Sequence, residues 1–431
     1  NGQIGDGMTQ LRNAPTKIGA SSWSNINAGY ENTVGTTVVP VSGYLWSWGL
    51  GTGGQNGDTT VISRSSPVQV SNAAWNYAYF PIIPDPLSNV QVKDAGTATN
   101  TKFFIRKDNN LLYSYGGPDY GLLGKNWVAS AIISNVTLVS NAVQTSVVSP
   151  TQVPGSYGLI AAGKQHVLAT KSDGTLYAWG SYNNAKTLKQ PYKFITNGVD
   201  PDVYAAIRGD DTLWVWGNNT VGAMGQNDTL YRSSPVQVPG SWTTIAISAS
   251  NVVAIKTDGS LWTWGSNGYG QLGTNDVVSR SSPVQIGTSS WSFVATNYYY
   301  HTYAIDAAGR LFAWGYNPYG NIGNNTTITY SSPVQIGNSS WISVSSNAFA
   351  TVGINADNLL FAWGLNNYGQ IGDGTTINKS SPVQVGTSKY KKVVISPYDP
   401  ATVIALRSDG IIFSFGYGGG GVLGDNSAIS K

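Results

Sequence analysis

The chain has no cysteine and only two histidines in 431 residues. Disulfides and thiolate metal centres are therefore excluded. A zinc site of the usual Cys/His composition has almost no ligands to draw on. Charge is scarce as well: Asp, Glu, Lys and Arg make up 10% of the residues, against about 25% in an average soluble protein. The net charge of +3 is spread thinly, which argues against a nucleic-acid partner or a charged membrane surface. No run of eighteen apolar residues occurs, so no transmembrane helix and no membrane insertion are expected. No leader of basic, apolar and small-residue regions opens the sequence, which begins at Asn1. The chain is expected to be a processed or partial product. No apolar series at i, i+3, i+4 and i+7 is sustained over three turns, so long helices are not expected.

What fills the chain is Gly, Ser, Thr, Asn and Tyr, arranged as a repeat. One copy runs from Leu261-Trp262-Thr263-Trp264-Gly265 through Gly270-Gln271-Leu272-Gly273 to Ser281-Ser282-Pro283-Val284-Gln285-Ile286. The aromatic-Gly half recurs at Leu45–Gly49, Leu112–Gly116, Leu176–Gly180, Leu213–Gly217, Leu311–Gly315, Leu360–Gly364 and Ile412–Gly416. The proline half recurs at Pro15, Pro67, Pro150, Pro191, Pro235, Pro333 and Pro382. Each half thus occurs eight times, at a period of roughly 50 residues, which sets the architecture before any other consideration. Asp-Gly precedes the aromatic half at Asp173-Gly174, Asp258-Gly259 and Asp409-Gly410, and predicts a tight hairpin with a primed turn. The flanking runs, such as Val252-Val253-Ala254-Ile255, are apolar without clean alternation, as expected of strands buried on both faces. An all-β chain of stacked four-stranded sheets follows, read as a single domain over residues 1–431 with a rim insertion at 126–149.

These residues resemble the repeat of the regulator of chromosome condensation family. Ala162-Gly163-Lys164-Gln165-His166-Val167-Leu168-Ala169, followed by Leu176–Gly180, is the nearest single copy. The resemblance covers essentially the whole chain. It implies a β-propeller of four-stranded blades, usually seven. Here eight units are counted, with seven as the alternative if the short fourth unit is absorbed. The ring is expected to close by N- and C-terminal strands sharing a blade, Ala14–Ile18 beside Ile412–Gly416. The family includes exchange factors, photoreceptors, enzyme inhibitors and ligase adaptors, so the resemblance carries fold and not activity.

Trp48, Trp179, Trp216, Trp264, Trp314 and Trp363 fall at equivalent repeat positions and are expected in the core. His166 and His301 each stand just before an apolar strand and are read as partly buried rings held by backbone hydrogen bonds, without catalysis. Asp6, Asp58, Asp228, Asp276, Asp373 and Asp425 recur in loops; turn chemistry accounts for them first. The sharper reading is a rim of oxygen ligands for Ca²⁺, which no Asp-x-Asp-x-Asp spacing supports; a paired-carboxylate hydrolase site built from different blades ranks below it. Tyr298, Tyr299 and Tyr300, with Tyr120, Tyr269, Tyr319 and Tyr368, offer contact surface of the kind interfaces favour. Asn1, Gly2, Gln3, Ile4, Gly5 and Asp6 repeat the loop found at Gly421–Asp425 and are read as an assembly element. No cofactor, metal or catalytic residue is expected. The function expected is a structural or assembly propeller on the outside of a cell, filament or virion, polymerising through its termini and bound to copies of itself or other surface components. A secreted binder of protein or glycan is the alternative.

Overall fold

The structure is a computed structural model. It describes residues 203–417 except 249, 298–299 and 397–400, together with 16–18, 23–28, 32–37, 44–49, 64–74, 97–98, 101–105, 111–116, 147–162, 166–171, 174–180 and 192–197. The described residues form 27 β-strands and no helix. β1 is Thr16–Ile18. The first sheet comprises β2 (Trp23–Ala28), β3 (Asn32–Thr37), β4 (Tyr44–Gly49) and β5 (Arg64–Ala74). The second has β6 (Thr97–Ala98), β7 (Thr101–Ile105), β8 (Leu111–Gly116) and the first part of β9 (Val147–Ala162). β9 continues into the third, beside β10 (His166–Lys171) and β11 (Leu176–Gly180). The fourth holds β12 (Tyr192–Asn197), β13 (Val203–Arg208), β14 (Thr212–Gly217) and the start of β15 (Arg232–Ile247).

β15 then opens the fifth sheet, with β16 (Asn251–Lys256), β17 (Leu261–Gly265) and β18 (Arg280–Gln285). The sixth contains β19 (Trp291–Thr296), β20 (His301–Asp306), β21 (Arg310–Gly315) and the start of β22 (Tyr330–Ser346). The seventh continues β22 with β23 (Ala350–Asn355), β24 (Leu359–Gly364) and the start of β25 (Lys379–Ile395). The last joins β25, β26 (Thr402–Arg407) and β27 (Ile412–Gly416), and β1 adds antiparallel to β27 through Thr16↔Ser414 and Ile18↔Ile412. The short fourth unit is a full four-stranded sheet. Of the expected insertion, Val147–Ser149 belong to β9 and 126–146 lie outside the described residues.

The second strands of the fifth, sixth and seventh sheets, β16, β20 and β23, are buried nearly along their length and present apolar groups on both faces. One face meets the preceding sheet and the other the following one, which is why these runs do not alternate. Val252, Ala254 and Trp264 pack with Leu213 and Val215 of the fourth sheet. Val253 and Leu261 pack with Val294 and Ala304 of the sixth. Ile26 and Trp48 of the first sheet pack with Val394, Ile404 and Ile412 of the last.

The hairpin turns depart from the two-residue primed form expected from Asp-Gly. Lys256 donates its N–H to Ser260 at 3.0 Å and Gly259 donates to Lys256 at 2.9 Å. The loop is therefore three residues long, Thr257-Asp258-Gly259, with Gly259 alone at positive φ (+83°). This is a type I turn closed by a left-handed residue. Asp258 favours it, because its carboxylate accepts both the N–H and the hydroxyl of Ser260, at 2.9 and 2.6 Å. Asp211 and Asn358 take the left-handed place in the fourth and seventh sheets.

Candidate interaction surface

The two ends of the sheets differ in chemistry. At one end lie the three-residue turns, with exposed Asp210, Asp258, Arg310, Asp357, Lys389 and Asp409. At the other end β17, β21 and β24 finish on Gly265, Gly315 and Gly364, opposite Asn251, His301 and Ala350. The long loops leave from here, and this end is termed the loop face.

Each of the four described loops, in the fourth to seventh sheets, is wound around a buried asparagine. Asn267 is fully enclosed; its Nδ2 donates to the carbonyls of Asp276 (3.0 Å) and Val278 (3.2 Å), and its Oδ1 accepts from Leu272 N–H at 2.9 Å. Asn219, Asn317 and Asn366 do the same work in their loops. The loop then docks on the next sheet. Trp314 Nε1 and Thr302 Oγ1 both donate to the Gln271 carbonyl, each at 2.9 Å. Trp363 Nε1 and Thr351 Oγ1 likewise donate to the Asn321 carbonyl, at 2.7 and 3.1 Å. Trp264 Nε1 donates to the Ala223 carbonyl at 2.8 Å. The indoles of Trp264, Trp314 and Trp363 thus fill the core with their rings and fasten a neighbouring loop with their nitrogens.

Trp48, Trp216, Trp264, Trp314 and Trp363 are all buried. Trp179 stands in β11 at the same register, opposite Val167, and its side chain lies outside the described residues. His166 and His301 also share a register, opposite Gly180 and Gly315. His301 is wholly buried rather than partly so, and its ring nitrogens meet the side chains of Asn297 and Asn321. The reason is the crowded junction of two sheets, where Asn297 also donates to the Asn347 carbonyl.

The three described carboxylates do not hold one repeat position. Counted from the residue that pairs with the strand-end glycine, Asp228 and Asp276 stand four positions earlier and Asp373 six. Asp276 accepts from Val278 N–H at 3.0 Å and pairs with Arg280 at 2.5 Å. Asp228 accepts from Leu230 N–H and pairs with Arg232. Backbone hydrogen bonds first, then the arginines and, ahead of Arg280 for Asp276, the Thr274 hydroxyl, hold both below the usual carboxylate range. For Asp373, burial pushes upward but is outweighed by Thr375 and Lys379, and the result is again a lowered pKa. A glycosidase acid needs the opposite shift. Asp6, Asp58 and Asp425 lie outside the described residues, as do Asn1, Gly2, Gln3, Ile4, Gly5, Tyr120, Tyr298 and Tyr299.

Of the tyrosines singled out from the sequence, those described, Tyr269, Tyr300, Tyr319 and Tyr368, gather on the loop face. Tyr269 stacks on Tyr300 of the next sheet, with centroids 5.0 Å apart and planes at 26°, and meets Tyr316 at 4.7 Å. Tyr319 meets Phe349 at 4.9 Å, and Tyr368 meets Tyr417 at 5.4 Å. An aromatic pair therefore bridges three consecutive sheet junctions. Tyr316, Phe349 and Tyr417 were not singled out from the sequence. Their signal is their place in the repeat: Tyr316 and Tyr417 directly follow a strand-end glycine, and Phe349 directly precedes β23.

The regulator of chromosome condensation (RCC1) repeat matches this chain at residues 210–255, 258–295, 308–353 and 357–395. A second description of the same repeat matches 159–185, 242–271 and 341–370. The chain carries RCC1 repeats within residues 159–395. Its similarity to the ultraviolet-B receptor UVR8 of Arabidopsis thaliana is 27% identity over 181 residues, which is 42% of this chain and 35% of that protein. The chain thus matches about a third of the length of this relative. Among solved structures, Prp20p of Saccharomyces cerevisiae superposes with a TM-score of 0.58 at 14% identity, covering 93% of this chain and 92% of that one. Human WBSCR16 gives 0.55 at 15% identity, covering 93% and 88%. These likenesses give the chain its fold, an all-β propeller.

Proposed function

We propose that this propeller is a non-catalytic protein-binding subunit whose partner surface is the loop face. The carrying observation is the series of aromatic pairs Tyr269–Tyr300, Tyr319–Phe349 and Tyr368–Tyr417 at successive junctions. Aromatic side chains give large contact area at low entropic cost, and their positions here are set by loops locked at both ends. The opposite face is dominated by charge, which interface centres tend to exclude. Protein binding also fits the relatives: Prp20p has been studied for binding to Gsp1p and histones, and yeast RCC1 has been solved with Kap60 bound. The low charge content supports placing the subunit outside a cell, on a surface or a virion. Its partners there would be copies of itself or other surface components, with a loop copy at 1–6 as a further connector. We take the eight sheets as eight blades, with β1 beside β27 closing the ring.

The test is site-specific photocrosslinking in the native assembly. A crosslinker in place of Tyr269 or Tyr319 is expected to capture a protein. One in place of Thr257, on the turn face, is not. Capture from Thr257 alone, or capture of a glycan rather than a protein at Tyr269, refutes the reading.

A further inference from the structure

Four aliphatic side chains hold one repeat position and point into solvent. Arg232, Arg280, Tyr330 and Lys379 pair with the strand-end glycines Gly217, Gly265, Gly315 and Gly364. Two residues before each stands Leu230, Val278, Ile328 or Ile377, exposed by 64, 58, 62 and 66%. Nothing in the fold requires them to be apolar. The backbone N–H of each is taken by the loop: Leu230 and Val278 donate to Asp228 and Asp276, Ile328 and Ile377 to Thr326 and Thr375. The carbonyls of Val278, Ile328 and Ile377 accept from the buried asparagines. With the backbone satisfied, a polar residue would serve the turn equally well. Isolated exposed aliphatics are ordinary, but the same exposure in four consecutive units is a surface.

The chemistry of its surroundings selects the occupant. Each loop tip neutralises its own charge: Asp228 with Arg232, Asp276 with Arg280, Asp373 with Lys379. The Thr326–Tyr330 tip carries none. The arc is therefore apolar and without net charge, and it meets an identical arc with no electrostatic penalty. It does not suit the turn face of another copy, where Asp210, Asp258, Arg310, Asp357, Lys389 and Asp409 are exposed. With the neighbouring Tyr231 and Val277, these side chains expose on the order of 700 Å², close to the roughly 800 Å² per partner of a standard interface. The loop-face tyrosines extend the same surface.

We infer that the loop face docks on the loop face of a second copy, with the aliphatic arc at the centre of a two-fold contact. This rests on the reading of the loop face as the partner surface and names its partner. Because such a contact is isologous, it closes as a dimer and does not propagate. Sedimentation velocity of the full chain, from nanomolar to tens of micromolar, tests it. A monomer–dimer equilibrium is expected. The double variant Ile328→Asp with Ile377→Asp should weaken it at least tenfold. Ile342→Asp, at an exposed position on the turn-face half of β22, should leave it unchanged. Thermal melts that match the parent chain show that each variant is folded. A monomer at every concentration, or a dimer indifferent to the double variant, overturns the inference. Either result leaves the crosslinking test of the loop face free to succeed with a different protein.

Discussion

Trp314 Nε1 donates to the carbonyl of Gln271, 2.9 Å away and 43 positions earlier, across the junction of two sheets. The bond adds direction to burial, since the same indole is wholly enclosed. Its two roles can be separated. Trp314→Ala removes rings and bond together and should cost about 3–5 kcal/mol. Trp314→Phe keeps most of the apolar area. The Gln271 carbonyl retains Thr302 as a donor, so Phe should cost only about 1–2 kcal/mol, for the lost bond and some volume. Denaturant unfolding of the two variants measures the split. Equal losses would mean that the rings contribute little.

Glycine has a similar test. Gly273 sits at φ +78°, and a Cβ there would come within 2.9 Å of Trp314 Nε1. Gly287 has φ +61° and open space around it. Alanine at either place pays the left-handed penalty of about 1–2 kcal/mol. Only Gly273→Ala also pushes on a locked indole, which adds about 1–3 kcal/mol. Chemical denaturation should therefore rank Gly273→Ala clearly below Gly287→Ala. The reverse order would contradict the tight docking of the loop on Trp314.

The repeat made the skeleton readable. A fixed spacing of aromatic, glycine and proline placed Trp264, Trp314 and Trp363 in one register, and the strands at Leu261, Leu311 and Leu360 follow it. Turn type was misread because Asp-Gly serves two hairpin classes, and a side-chain hydrogen bond from Ser260 to Asp258 favours the longer one. The surface was harder to read. Tyr269 and Tyr300 lie in different repeats and meet only because adjacent sheets stack. Leu230, Val278, Ile328 and Ile377 are single residues inside polar loops, and become a pattern only when numbered from the strand-end glycine. His301 shows the opposite limit: its register was legible, but its depth depends on Asn297 and Asn321, which meet its ring and are themselves bonded to the next sheet.

Acid should act through the turns. Asp409 is held at a pKa of about 2, first by its side-chain hydrogen bonds with Arg407. An unfolded aspartate titrates near 3.9. The folded value is the lower one, so the stabilisation is complete above about pH 4–5 and fades as pH falls toward 2. Asp228, Asp276 and Asp373 shift in the same direction. Stability should be flat near neutrality and drop below about pH 4. Asp409→Asn should lower stability at pH 7 while making it less sensitive to acid over that window. A variant with the parent slope between pH 4 and 2 would show that Arg407 does not hold the carboxylate.

Tyr269 should matter more to binding than to folding. Its ring is 42% exposed, and its internal attachments are the contacts with Tyr300 and Tyr316. Such aromatic pairs are worth about 0.5–1.5 kcal/mol beyond area. Its backbone N–H stays bonded to Gln271 Oε1 at 2.9 Å whatever the side chain. Tyr269→Ser should therefore cost no more than about 1–2 kcal/mol in denaturant. Loss of an exposed aromatic at an interface centre commonly costs about 2 kcal/mol or more in binding. Tyr319→Ser, with one ring contact to Phe349, should show the same contrast more sharply. Paired measurements of unfolding and of affinity for the crosslinked partner decide the matter. If both variants melt far below the parent chain, the tyrosines act as core, and the aromatic junctions hold the ring together rather than present it to a partner.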